Sequence, residues 1–277
     1  MNNTSRGIMK KRVILAIIGV LLLGLNITGL FTSLRNPEIY HETSTPFRND
    51  ITLSEKQVYE ILDSDCSNRA DFIKKAVYAI NQGIAHYWEN DGIDRYNLRI
   101  PIQENYILNL SSFILPSKFQ KYEYLDYHRA IERGVGLCSE HAIILAGALY
   151  DRGIDTKIIG LDGHVVATAE VNEKSNIWWV VDPDYGVIIP YDIKTIEENP
   201  TIVKKYYLDN GYDEKTGDLM VRLYGKEGNR VSNGYGVGDY SILSHYFETA
   251  SYIMIWVIPL LFLLPLLLTL FGRLLKV

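Results

Sequence analysis

Three side chains in this sequence are of the types that nucleophilic acyl chemistry requires. They are Cys138 in ERGVGLCSEHAIILAGALYDRGI, His164 in GLDGHVVATAEV and Asp182 in IWWVVDPDYG. A thiol can attack an amide or ester carbonyl, an imidazole can take and return the proton, and a carboxylate can hold the ring in the productive orientation. The product of the first step would be a thioester acyl-enzyme, which water resolves as a hydrolase and an amine or hydroxyl resolves as an acyltransferase.

Local structure must carry these groups to one place. Gly134 and Gly136 break whatever precedes them, and Ala142, Leu145, Ala146 and Leu149 then recur at three- and four-residue steps. That spacing predicts an amphipathic helix over 138–152 stopped by Gly153, with Cys138 in its first turn. Unpaired amides and the positive end of the helix dipole favour negative charge there. The β-branched stretches 156–161 and 164–171 and the apolar run 177–181 predict strands. A hairpin centred on Glu173 pairs His164 directly with Asp182, on the same face of the ladder.

GVGLCSEHA leading into an apolar helix, the Gly153-Ile154 pair, the strand-opening His164 of GHVVA and the Trp-Trp-Val-Val-Asp-Pro run together resemble the transglutaminase-like superfamily of papain-type cysteine enzymes. The resemblance covers 133–191. It implies an α+β fold in which a catalytic helix packs on an antiparallel sheet, with Cys138 as nucleophile, His164 as general base and Asp182 as the orienting acid. It also implies an upstream residue that helps hold the oxyanion, for which Asn105 and Tyr106 are the candidates. The plainer alternative is that Asn105 caps a helix beginning at Tyr106, whose ring packs in the core.

Other uses of the same residues compete with this one. Cys66 and Cys138 are the only cysteines, and two cysteines in an oxidising compartment invite a disulfide. His141 lies one turn beyond Cys138 and is a rival base, but Glu140 is its only nearby acid, so a structural role is expected for it. Cys138, His141, His164 and Asp182 could together ligate zinc, yet the paired Cys-x-x-Cys or His-x-x-x-His spacing is missing. No metal and no cofactor are expected.

The rest of the chain reads as anchor and scaffold. Its 277 residues are 47% hydrophobic and 22% charged, with a net charge of -5, which gives no support to nucleic-acid binding. Residues 13–34 (VILAIIGVLLLGLNITGLFTSL) carry no charge and rise about 33 Å as a helix, enough to cross a bilayer core. Residues 249–272 (TASYIMIWVIPLLFLLPLLLTLFG) form a second uncharged run, interrupted by Pro259 and Pro265. No Ala-x-Ala pattern follows the first run, so an uncleaved anchor is expected.

Arg6, Lys10, Lys11 and Arg12 precede the first span, and Arg273 and Lys276 follow the second. The positive-inside rule then predicts cytoplasmic ends at 1–12 and 273–277, with 35–248 on the outer, periplasmic side of an inner membrane. That body is expected to hold a core over 53–209, with helices over 52–62, opened by a Thr52–Glu55 capping box, and over 67–88. A broken helical return over 192–209 and a Gly-rich tether over 225–238 are expected to follow. The expected partners are the membrane and an envelope peptide, an acylated polysaccharide or a lipid-linked precursor. The competing functions are a cysteine peptidase and a non-catalytic assembly module of an envelope or polysaccharide-export system.

Overall fold

The computed structural model describes residues 3–40, 51–87, 89–225, 229–237 and 240–274. In chain order, the helices ahead of the Cys138 segment are α1 (Asn3–Gly29), α2 (Glu55–Leu62), α3 (Arg69–Gly83), α4 (Tyr106–Ile114), α5 (Pro116–Phe119) and α6 (Tyr127–Arg133). Those that follow are α7 (Cys138–Asp151), α8 (Ile193–Glu198), α9 (Thr201–Asp209), α10 (Glu214–Tyr224) and α11 (Ile242–Leu274). The strands are β1 (Ala85–His86), β2 (Val135–Gly136), β3 (Thr156–Gly160), β4 (Val165–Asn172), β5 (Ile177–Asp182), β6 (Val187–Ile189) and β7 (Arg230–Val231). Contacts divide the chain into one unit of Met1–Ser33, Arg99–Tyr122 and Tyr246–Val277, and another of Leu34–Leu98 and Glu123–His245.

Helices α1 and α11 of the first unit are long and apolar enough to cross a membrane, over Gly7–Gly29 and Ile242–Gly272. They pack antiparallel. Arg12 donates to Thr269, Gly19 lies so close to Pro259 that an added Cβ would sit 2.7 Å from its carbonyl oxygen, and Asn26 Nδ2 donates to Ile255 O at 2.6 Å. A small residue at the crossing lets two backbones approach in this way. Pro259 has no N–H to give the carbonyl four residues earlier, so Ile255 O loses its helical donor. Asn26 and the Tyr106 hydroxyl, at 3.3 Å, supply donors in its place, the re-satisfaction that makes proline tolerable in an apolar helix.

The second unit is α+β. Its main sheet is antiparallel throughout, in the order β6-β5-β4-β3-β7. Alternation along a strand sends successive side chains to opposite faces. Ile158 accordingly joins Ala142, Ile143 and Ala146 of α7, while its neighbour Ile159 joins Val203, Tyr207, Met220 and Tyr224 from α9 and α10. With both faces covered, β4 is buried without a break from Val166 to Glu170 rather than at alternate residues, and Glu170 is paired with Arg69.

Several elements depart from expectation in ways the contacts explain. The capping box on α2 is Ser54 with Gln57, not Thr52 with Glu55, because Ser54 is the residue whose extended backbone opens the helix. Helix α3 stops at Gly83, since the chain then pairs Ala85 and His86 with Val135 and Gly136. In the expected tether, residues 226–228 and 238 lie outside the described residues, as do 1–2 and 275–277 of the expected termini. The described part runs along the edge of β3, with Ser232 N on Ile158 O at 2.9 Å and Gly236 N on Thr156 O at 2.8 Å. It forms the last strand of the sheet.

Candidate functional site

Cys138 opens α7, and the turn in front of it is built to be rigid. Gly134 caps α6 in the left-handed region (φ 71°), where a Cβ would also strike the guanidinium of Arg35 at 2.5 Å. Behind the loop Arg133 and Glu140, both wholly buried, pair at 3.1 Å. Arg133 Nε also holds Val135 O at 3.0 Å, and Glu140 accepts the Tyr124 amide at 3.2 Å. Leu137 stands at the N-cap and no side chain caps the helix. The first-turn amides beside the thiol are therefore not engaged by an N-cap side chain. Cys66 and Cys138 are both free thiols, which removes the disulfide alternative.

The structure brings His164 and Asp182 together, though by a different register from the one expected. Ala167 pairs with Val181 and Thr168 with Val180, which leaves Asp182 opposite Val166. The four residues 173–176 make the turn and a bulge falls between Glu170 and Asn172, so the ladder is displaced by two residues. An even displacement keeps every side chain on its face. His164 Nε2 thus still meets Asp182 Oδ2, at 2.7 Å across the diagonal.

Asp182 is fully buried and well supplied with donors. The Tyr207 hydroxyl donates to Oδ2 at 2.7 Å, the Tyr185 amide to Oδ1 at 3.2 Å, and the Tyr224 hydroxyl backs Tyr207 at 3.3 Å. Burial penalises the charged ring of His164, but the Asp182 carboxylate, its hydrogen bond and the hydrogen bond with Cys138 outweigh that and raise the imidazole well above its ordinary pKa. With Nε2 on Asp182, Nδ1 is the nitrogen left for Cys138. Tyr185 stands edge-on to the ring, with centroids 5.4 Å apart, and fixes its plane.

Asp184 is a second acid beside the thiol. Asp184 accepts from Nδ1 of His86, 2.8 Å from each carboxylate oxygen, and lies 3.7 Å from His141 Nε2. Burial works against its charge, but the His141 ring, the hydrogen bond from His86 and the charge on His164 prevail and hold its pKa at about 2. His86 arrives through the parallel pairing of His86 with Gly136. Nothing local in sequence predicts that pairing. Asp184 had a signal, since Asp-Pro-Asp closes the strand that supplies Asp182.

His141 is engaged by two backbone carbonyls. Its Nδ1 lies 2.7 Å from Leu137 O and its Nε2 3.0 Å from Ile84 O, which ties the start of α7 to the segment leading into β1. Glu140 is occupied with Arg133.

Asn105 and Tyr106 belong to the other unit. Asn105 Oδ1 caps α4 on the amides of Ile107 and Leu108, and its Nδ2 donates to Ser251 at 2.9 Å; the Tyr106 hydroxyl serves Ile255. Asn105 is thus committed to the start of α4 and to Ser251, and Tyr106 to a carbonyl inside α11. Cys138, His164 and Asp184 place one ligand-type atom each within 4.8 Å of one another. Both Asp184 oxygens already face His86, and His164 Nε2 already faces Asp182.

No family model, curated protein or solved structure matches this chain.

Proposed function

We propose that this protein is a membrane-anchored cysteine enzyme of the transglutaminase-like kind that works through a thioester acyl-enzyme. The observation that carries the reading is the line of groups Cys138, His164 and Asp182, with the imidazole bonded to both of its neighbours. His164 takes the proton of the Cys138 thiol as sulfur attacks the carbonyl carbon of an amide or ester. First-turn amides of α7 hold the resulting oxyanion. His164 then gives the proton to the leaving amine or alcohol as the carbon–heteroatom bond breaks, and a thioester remains. Water, an amine or a hydroxyl attacks that thioester, gives its proton to His164 and releases the thiol.

The two apolar helices support membrane association, and their basic flanks support cytoplasmic ends with the α+β unit on the outer face. The substrate would then be an envelope peptide, an acylated polysaccharide or a lipid-linked precursor.

The test is a thiol-directed acylating probe on the purified full chain. Labelling of Cys138 at neutral pH, faster than in the denatured chain and abolished in Cys138→Ala, supports the enzyme. Labelling no faster than in the denatured chain, with full biological function in Cys138→Ala, would show a scaffold that does not use the thiol. Digestion of peptides set against amine-transfer assays separates a peptidase from an acyltransferase.

A further inference from the structure

The segment between β1 and α6 contains a surface that neither the thiol chemistry nor the two long helices use. From Asn105 to Ser117 the chain reads NYILNLSSFILPS, thirteen residues without a charge. Such a run is too short to cross a hydrocarbon core of about 30 Å and is of the length that lies in an interface. In α4 the residues Tyr106, Leu108 and Ser112 are buried. Leu110, Phe113 and Ile114, spaced three and four apart, form a ridge across the helix from Leu108 and Ser112, in which Phe113 is 63% and Ile114 is 76% exposed. Leu115 and Ile102 of the same segment are also exposed. A contiguous apolar surface of this kind on a folded protein marks a place where something else covers it.

We propose that α4 and α5 lie in the headgroup zone of a bilayer, with the Leu110–Phe113–Ile114 ridge among the acyl chains and Arg99 and Lys118 toward anionic headgroups. Three observations favour lipid over a protein partner. The segment belongs to the same compact unit as α1 and α11, both apolar enough to span a membrane. Its rim is basic: the Arg99 guanidinium sits 4.6 Å from the Phe113 ring centre and Lys118 Nζ 5.7 Å from that of Phe119, the arrangement in which a long side chain lays its stem on apolar surface and presents its charge to phosphate. Phe119 also stacks with Tyr122 and meets Phe247 of α11 at 5.3 Å, which fastens α5 to the long apolar helix. The inference rests on the membrane part of the proposed function and is independent of the thiol.

The experiment reconstitutes the full chain in vesicles of zwitterionic and anionic phospholipid that carry a photoactivatable carbene on the acyl chain, and maps the labelled residues by mass spectrometry. Labelling of Leu110, Phe113 and Ile114 comparable to that of Leu21 in α1, with none on α2, is the expected result. The double variant Phe113→Asp, Ile114→Asp should lose the label from 110–115 several-fold while α1 and α11 keep theirs. Labelled spans with an unlabelled α4 would overturn this inference alone. Unlabelled spans would overturn the membrane reading with it. Chain-to-chain crosslinks through the ridge, or label that persists in the double variant, would also overturn it, the first by pointing to a second copy as the cover.

Discussion

Asp182 reaches His164 across the diagonal of the β4–β5 ladder: the two side chains meet at 2.7 Å although Asp182 stands opposite Val166. The contact survives a displaced register because displacement by two preserves the face. Asp182→Asn should therefore leave the strands paired and alter the ring's tautomer and orientation. A loss in acyl-enzyme formation on the order of 10³–10⁴-fold is expected. Burst kinetics with an activated ester, beside a circular dichroism spectrum, measure it; an unchanged burst would remove Asp182 from the chemistry.

Tyr207 donates to the same carboxylate oxygen from α9. Tyr207→Phe leaves a buried charge short of one donor and should destabilise the unit by about 1.5–3 kcal/mol. Because Tyr207 bonds Asp182 and Tyr224 and acts on the ring only through the carboxylate, the rate at saturating ester should fall far less than in Asp182→Asn. Urea midpoints and single-turnover rates on the two variants distinguish the effects.

Two titrations should shape stability against pH. The imidazole of His164 is raised on folding, so its stabilisation is full below the unfolded value of about 6.5 and is lost as pH climbs through the higher folded value. Asp184 is lowered from 3.8 to about 2, so its stabilisation is full above 3.8 and is lost as pH falls toward 2. That is on the order of 2 kcal/mol. Asp184→Asn should flatten the acid limb of the urea-midpoint profile and His164→Ala the alkaline limb. A limb that keeps its slope in the matching variant would assign the titration elsewhere.

Arg133 and Glu140 form a wholly buried ion pair under the thiol loop. Removing one partner leaves the other charge uncompensated, and Arg133→Met or Glu140→Leu alone should cost about 3–5 kcal/mol. The double variant should recover much of that loss. A double-mutant cycle by chemical denaturation reads the coupling, and additive losses would show that the two residues stabilise the loop separately.

At Ile255 the carbonyl orphaned by Pro259 is served by Asn26 and Tyr106. Asn26→Leu should loosen the α1–α11 pair, and Asn26→Leu combined with Pro259→Ala should restore it, because the alanine returns the missing helical N–H. Unfolding in detergent followed by helix signal tests this. Failure of the alanine to rescue would mean that Asn26 acts through packing.

The chain alone was sufficient to place the helix that opens at Cys138, the three strands behind it, both long apolar helices and the break at Asn199-Pro200, because each is written in local periodicity or in a residue with fixed backbone demands. It also set the face parity of His164 and Asp182, since side chains alternate along any strand. Tertiary structure alone decided the rest. Turn length and a bulge set the pairing as diagonal, and the parallel pairing of His86 with Gly136 brought His86 from far upstream of Cys138 onto Asp184. Asn105 went to the start of α4 and Tyr106 to the carbonyl orphaned inside α11, because a helix start and a buried carbonyl must find donors and acceptors wherever packing leaves them. Contacts so distant along the chain have no period to announce them.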